Sequence, residues 1–319
     1  MTSLRRGWLL ALLLLVSASL AQARGEGKPR SLPSGHALIQ VLDVGQGDSI
    51  LIRSPEGKTA LVDAGPTRDG AARLLRASGL QSLDLVVVSH HHSDHFGGMA
   101  QVIRDWKPRY FLATNSTHTT RLYLTLLETV KSEGLTAVQP TSRPRRIELG
   151  TVRLTILPQP PEDTREENNN SIGLRLDYGG FAMLMTGDSE LSQRRWWMQQ
   201  APELLRDCTV LKLAHHGSHN GTDARWLDLT APELAVVSLG RGNSYGHPHA
   251  ETLSLLRSRG IPLLRTDEHG TITLRTDGRV WNVVRPPLAL RGRRGTERIA
   301  AENSPARSQP LPPSRSLQR

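Results

Sequence analysis

Residues 84–99 read D-L-V-V-V-S-H-H-H-S-D-H-F-G-G-M, and this stretch decides the fold. Its first half is a short apolar, β-branched run bounded by polar residues, which predicts a buried strand. The histidines then fall on the loop where that strand ends, and Gly97-Gly98 is expected to let the backbone turn tightly into a helix. Within the loop His90, His92, Asp94 and His95 spell H-x-H-x-D-H. Imidazoles and a carboxylate are ligands that Zn²⁺ and Mn²⁺ accept, and this set suits two adjacent divalent ions with a position left open for water. On extended backbone His90 and His92 emerge on one side and can share an ion, while His91 and Ser93 point away.

Upstream, residues 37–44, 49–53 and 59–62 are strand-like and form an opening meander around the turn G-Q-G-D, followed by a helix over 67–78 with Thr67 near its N-cap. Downstream come a helix from 99 to 106, a strand at 109–113 and a helix over 119–132. The last carries Leu122, Leu126, Leu127 and Val130 as its packed face. Residues 147–157 hold two strand pieces and 158–167 an acidic loop. Residues 168–171 (NNNS) then open a strand at 172–178, which Gly179-Gly180 turns into a second one at 182–185. A helix at 191–200, strands at 209–214 and 234–238, a helix at 250–259 and a hairpin around Asp277-Gly278 complete the pattern. Two strand-rich blocks, each followed by helices, predict an α/β, four-layer αββα sandwich with the site at the edge between its sheets.

The ends of the chain differ from its body. Arg5 and Arg6, an apolar run over 8–16 and A-Q-A at 21–23 have the layout of a secretory signal, so 1–23 is read as a signal peptide and 24–36 as a disordered Gly/Pro-rich leader. The apolar run is short for a membrane span, so no stable span is expected once the signal is cleaved; an uncleaved anchor is the alternative. Export places the protein in the periplasm or outside the cell. Of the net charge of +10, residues 1–23 hold two arginines, and 285–319 hold eight arginines against two glutamates. That leaves 24–284 with 30 basic and 28 acidic residues, so the body is nearly neutral and the 285–319 tail, Arg/Pro-rich and expected to be disordered, carries the basicity. The single cysteine, Cys208, excludes an internal disulfide framework and lies in an apolar run, as a core thiol does.

H-x-H-x-D-H after a hydrophobic strand resembles the metallo-β-lactamase superfamily. Residues 43–49 (DVGQGDS), 61–65 (LVDAG), 186–188 (TGD), 211–218 (LKLAHHGS) and 245–249 (YGHPH) narrow the resemblance to the hydrolase-like domain of ComEC/Rec2-type DNA-uptake proteins, across about 37–284. The resemblance implies a metallo-β-lactamase-like hydrolase domain over 37–284, with His90 and His92 on one ion, Asp94, His95 and His216 on the other, and Asp188 bridging. Residue patterns alone leave Asp188 as a helix N-cap equally open. His215 then faces the substrate as an oxyanion donor or supports a metal ligand from behind, Asp63 orients a metal-bound histidine through its ring N–H, and His247 contacts phosphate or donates a proton. For His249 a helix-start role competes with chemistry.

Lactonase-type and β-lactamase members of the superfamily use a third histidine on the first ion. Between Phe96 and Asp188 this chain offers only His118. In the expected region stands NNNS, where Asn170 and Ser171 either complete that ion's surroundings or are turn residues, and the softer site points to Mn²⁺ in place of Zn²⁺. The expected function is exported two-metal hydrolysis of a phosphodiester, extracellular DNA or nucleotides, with Asp94, His215 and His247 in the chemistry. An ester or amide hydrolase and a non-catalytic polyanion-binding module are the alternatives.

Overall fold

The computed structural model describes residues 35–163 and 165–284. The signal segment, residues 24–34 of the leader and the 285–319 tail lie outside the described residues. Strands β1 (Ala37–Val41), β2 (Ile50–Arg53) and β3 (Thr59–Val62) form the expected antiparallel meander. In β1 the alternation A-L-I-Q-V buries Ala37, Ile39 and Val41 and half-exposes the residues between them. Helix α1 (Gly70–Ala77) starts later than its sequence predicts, with Asp69 at the N-cap. Thr67 belongs to the preceding turn, where its carbonyl accepts from Gly70 N at 3.3 Å.

Strand β4 (Leu85–Val88) pairs parallel to β3, and the loop after it leads through α2 (Ser93–Phe96) into α3 (Met99–Trp106). Then follow β5 (Tyr110–Ala113), α4 (Arg121–Ser132) and β6 (Thr136–Val138). Helix α4 buries Tyr123, Leu126 and Thr129, while Leu127 is 39% exposed. Of the predicted face, Leu126 is buried and Leu122 and Val130 pack against the same cluster, so only Leu127 is misplaced. Tyr123 and Thr129 complete the face, the Thr129 hydroxyl accepting from Arg104 at 2.9 Å.

The second block contains β7 (Arg145–Leu149), β8 (Val152–Ile156), β9 (Leu174–Tyr178), β10 (Phe181–Met185), α5 (Leu191–Gln200), β11 (Val210–Lys212), α6 (Ala224–Thr230), β12 (Leu234–Val237), α7 (Ala250–Ser258), β13 (Leu263–Arg265) and α8 (Thr266–His269). Strands β14 (Ile272–Thr276) and β15 (Trp281–Val284) return to the first block. The two sheets run β15-β14-β1-β2-β3-β4-β5-β6 and β13-β12-β11-β10-β9-β8-β7.

Three apolar clusters define four layers. Ile39, Ile52 and Val87 meet Leu154, Leu176 and Met183 between the sheets. Leu51, Leu61 and Val86 pack outward against Ala71, Val102 and Leu126 of the first helical layer. Leu184, Leu211 and Ala235 do the same against Trp197, Trp226 and Leu256 of the second. Strands covered on both faces read as continuous apolar runs, as L-V-V-V does in β4. The parallel strands β4, β10, β11 and β12 end at one common edge, and the loops leaving them carry the histidines and acids.

Candidate metal centre

His90 and His92 leave the end of β4 together, with His90 Nε2 lying 3.1 Å from His92 Nδ1. His91 turns the other way, as the alternation requires, and its Nδ1 meets Ser116 Oγ at 3.2 Å. Gly97 and Gly98 have ordinary helical backbone (φ −53° and −91°), so they do not supply a tight turn. Their role is close packing: a Cβ on Gly97 would lie 2.3 Å from the Pro66 carbonyl oxygen, and one on Gly98 2.5 Å from that of Ala64. The absent side chains let the histidine loop press against the loop after β3.

Asp188 stands at the centre. Its Oδ2 lies 3.2 Å from His95 Nε2, 3.5 Å from His216 Nε2, 3.9 Å from His90 Nε2 and 4.0 Å from His215 Nε2. The cap reading of Asp188 fails, because Glu190 occupies the N-cap of α5. Ser171 holds Asp188 in place, its Oγ accepting from the Asp188 backbone N–H at 3.1 Å. His216 Nε2 approaches Asp94 Oδ2 at 3.2 Å, and its Nδ1 donates to the Ser238 carbonyl at 2.9 Å. Asp63 accepts from His95 Nδ1 at 2.8 Å, as expected of a residue that orients a ligand histidine.

His215 and His216 do not sit on a strand. Both have left-handed backbone (φ 49° and 52°) in a short turn over Ala214–Gly217, so both rings reach towards Asp188. His215 Nδ1 lies 3.1 Å from Asn220 Oδ1 and 3.3 Å from Glu190 Oε1. His247 lines the cleft, its ring centroid 5.6 Å from that of His215. His249 is the N-cap residue of α7, its Nε2 donating to the Tyr245 carbonyl at 3.1 Å, which favours the helix-start role.

The electrostatics match a site built for cations. Burial disfavours a charged His95, but Asp188 and Asp63 on its two nitrogens outweigh that and raise its pKa. Burial likewise opposes charge on His216, and Asp188 and Asp94 push it up to about 10. Burial would raise Asp188, yet His95 and His216 hold it well below the carboxylate range. His247 moves the opposite way, down to about 4, through burial and the neighbouring His216 and His215.

Two buried polar atoms here, His95 Nε2 and Asp188 Oδ1, have no hydrogen-bond partner. Orphaned buried groups are costly, and a cation that displaces the histidine protons satisfies them. Asp94, His95, Asp188 and His216 each bring a ligand atom within 4.8 Å of the others. With His90 and His92 alongside, the residues present fit a pair of divalent ions.

In the NNNS segment the expected strand opening fails, and of the two readings left open for Asn170 the turn one fits. Residues Glu167–Asn170 form a 3₁₀ turn, so Asn170 opens no strand, and its side chain faces the 158–167 loop. There Asn170 Oδ1 accepts from Asp163 N at 2.8 Å and Nδ2 donates to Glu167 Oε2 at 3.1 Å. Asn170 thus ties down a loop. The asparagine facing the metal cleft is Asn168, whose Nδ2 donates to Glu190 Oε1 at 3.1 Å.

Sequence reasoning also passed over Asp48 and Lys212. They form a buried ion pair, and Asp48 Oδ1 lies 3.5 Å from His216 Nδ1. An acid and a lysine inside two of the quoted motifs were the available signal. Gln46, Ser93 and Tyr245 join the ligands in lining a cleft of about 260 Å³.

Comparison with known proteins gives a consistent picture. A sequence profile of the metallo-beta-lactamase superfamily matches residues 42–241. ComE operon protein 3 of Bacillus subtilis is 28% identical over 274 residues, 80% of this chain and 35% of its own. Competence protein ComA of Neisseria gonorrhoeae is 31% identical over 255 residues, 77% of this chain and 33% of its own. The chain spans about a third of the length of these curated relatives. Among solved structures, CmlA, a diiron beta-hydroxylase from Streptomyces venezuelae, superposes with a TM-score of 0.54 at 16% identity, covering 79% of this chain and 55% of that one. YhfI of Bacillus subtilis, a metallo-beta-lactamase fold protein, gives 0.51 at 13% identity, covering 76% and 100%. These two likenesses concern the fold alone.

Proposed function

The chain belongs to the metallo-beta-lactamase superfamily, and from that premise we propose that it is a metal-dependent hydrolase cleaving phosphodiesters of nucleic acid or nucleotides. The observation that carries the substrate class is the cleft's lining: carboxylates, imidazoles, two amides, one hydroxyl and one phenol, with no aliphatic side chain. Such a surface suits a charged, hydrogen-bonding substrate and offers little to an apolar acyl group. The likeness to ComE operon protein 3 and to the competence protein ComA supports the same reading.

His90 and His92 would hold one ion, Asp94, His95 and His216 the other, and Asp188 both. Divalent ions bound there supply Lewis-acid polarisation and acidify water at neutral pH. The amide at Asn168, in place of a third imidazole, favours Mn²⁺ over Zn²⁺. His215 has its Nδ1 proton engaged by Glu190 and Asn220. Burial opposes its doubly protonated form, but Glu190 and Asp188 outweigh that, and in this form Nε2 on the cleft side donates to an oxygen that gains charge as the ester breaks. His247 is neutral at pH 7 by its lowered pKa and suits a hydrogen bond to the phosphoryl group. The signal-like residues 1–23 support a reaction outside the cytoplasm. Among the described residues no helix is long and apolar enough to cross a membrane.

The test is metal content and hydrolysis on the same purified chain, titrated with Zn²⁺ and Mn²⁺ and compared with Asp94→Ala and Asp188→Asn. Cleavage of methyl p-nitrophenyl phosphate and DNA, lost in both variants, supports the reading. Hydrolysis of a chromogenic β-lactam or lactone with both phosphodiesters intact overturns the substrate class. An absence of bound metal overturns the mechanism.

A further inference from the structure

Beside the metal cleft lies a second cavity, of about 370 Å³, between α4 and the ends of β5 and β6. His92 lines the cleft, whereas its chain neighbour His91 lines the cavity. Glu167 Oε1 accepts from the His91 backbone N–H at 2.9 Å and from Ser116 Oγ at 3.0 Å, and lies 3.4 Å from His91 Nδ1. Burying such a polar set is costly, and the metal centre uses none of it. The set fixes the His91 ring and leaves Nε2 as the ring's remaining polar atom at the cavity.

The other walls combine two aromatic rings, Tyr123 and Phe111, with the aliphatic side chains of Leu127, Val130 and Val138 and with amides. The Tyr123 ring centroid lies 4.6 Å from that of His91, at an interplanar angle of 62°. Asn115 Nδ2 donates to the Pro140 carbonyl at 3.3 Å, leaving its side-chain oxygen free at the rim. The Gln139 amide lines the same rim with no side-chain hydrogen bond among the described residues. Apolar walls carrying two aromatic rings, with a hydrogen-bonding edge and in a cavity of this size, match a planar heteroaromatic ring.

We propose that this cavity is a nucleobase subsite, taking the base of the nucleotide next to the phosphodiester held in the metal cleft. The proposal rests on the phosphodiesterase reading and narrows it: a base must be unpaired to enter, so the substrate is single-stranded nucleic acid. The base lies in the cavity against the Tyr123 and Phe111 rings, and Gln139, Asn115 and His91 read its edge.

Two variants probe it while leaving the metal ligands and the core in place. Gln139→Ala removes a rim amide, and Ala137→Trp, at an exposed position of the edge strand β6, fills the cavity. The first measurement is calorimetric binding of adenosine and thymidine, with ribose as control. The second compares hydrolysis of thymidine 5′-(p-nitrophenyl phosphate) and of methyl p-nitrophenyl phosphate, which share a leaving group. The expected result is binding of the nucleosides but not of ribose, weakened about tenfold or more in both variants, a stacking-sized effect. KM for the thymidine ester rises in parallel while the methyl ester is unaffected. Absence of nucleoside binding by the parent, or binding that both variants leave unchanged, overturns the subsite whether or not phosphodiesters are cleaved. Nucleoside binding that the variants weaken, with neither ester hydrolysed, keeps the subsite and overturns the phosphodiesterase reading instead.

Discussion

Asp63 Oδ2 lies 2.8 Å from His95 Nδ1, and the same carboxylate accepts the Ser89 backbone N–H and hydroxyl, each at 2.7 Å. One acid from the end of β3 therefore sets both the tautomer of a ligand histidine and the start of the histidine loop. Asp63 has left-handed backbone, φ 59°, which Asn also tolerates. Asp63→Asn thus keeps the chain path, removes the charge and replaces one of the two accepting oxygens by an NH2 donor. Metal affinity is expected to fall by about 10- to 100-fold, the usual cost of losing such a partner. Competition against a chromogenic chelator measures it, and an unchanged affinity would show that His95 needs no anchor.

The Lys212–Asp48 pair joins β11 of the second sheet to the loop before β2 of the first, with the two residues 1% and 2% exposed. Removing one partner of a buried ion pair costs about 3–5 kcal/mol, because the other charge is left without compensation. Lys212→Met should lose about that much in urea unfolding. Asp48→Leu combined with Lys212→Met should lose clearly less than the sum of the two single changes. Strict additivity would mean that the two charges do not depend on each other.

Glu167 gives the protein a specific acid sensitivity. Burial would raise its pKa from 4.5, but bonds from His91 and Asn170 outweigh that and bring it to about 2. A carboxylate with a depressed folded pKa contributes stability that is fully present above about pH 4.5 and is lost as pH falls towards 2. The stability gap between the parent and Glu167→Gln should therefore be widest above pH 5 and close steadily down to pH 2. Urea midpoints across that range read the gap, and a gap independent of pH contradicts the assignment.

The architecture was legible wherever one period dominated. The L-V-V-V run of β4 and the hairpin over 174–185 follow from apolar content and turn chemistry, and α5 matches its predicted limits. Short edge elements were not legible: β6 exposes two of its three residues and β13 buries none fully, so neither carries a pattern. Helix α6 announces itself only through Asp223, whose side chain accepts from Trp226 N. At the site, the H-x-H-x-D-H loop was readable because its ligand-type residues are rare and closely spaced, whereas Asp188 and His216 were reached only through the resemblance of their motifs. The backbone at His215 and His216 was not, since a left-handed pair after a strand leaves no mark in residue type. Which asparagine of NNNS faces the cleft depends on a 3₁₀ turn of about three residues per cycle, and the motif alone left a turn role and a metal role for Asn170 equally open.

That last difference yields a direct contrast. Asn168 lines the metal cleft and makes one bond from its amide, to Glu190, whereas Asn170 spends its side chain on Asp163 and Glu167 inside the loop. Asn170→Ala forfeits three hydrogen bonds beside a buried acid and should cost about 1–3 kcal/mol of stability, with metal affinity unaltered. Asn168→Ala should cost about 1 kcal/mol or less while changing what the cleft does: weaker binding of Mn²⁺ in the titration, and lower kcat/KM on the phosphodiester. Replacing Asn168 by His restores an imidazole at this position and should shift the preference towards Zn²⁺, which favours nitrogen ligands over amide oxygen. Thermal melts with and without each ion separate the two asparagines. Should Asn170→Ala be the variant that loses metal, the cleft is lined differently in solution and the metal role of Asn170 stands.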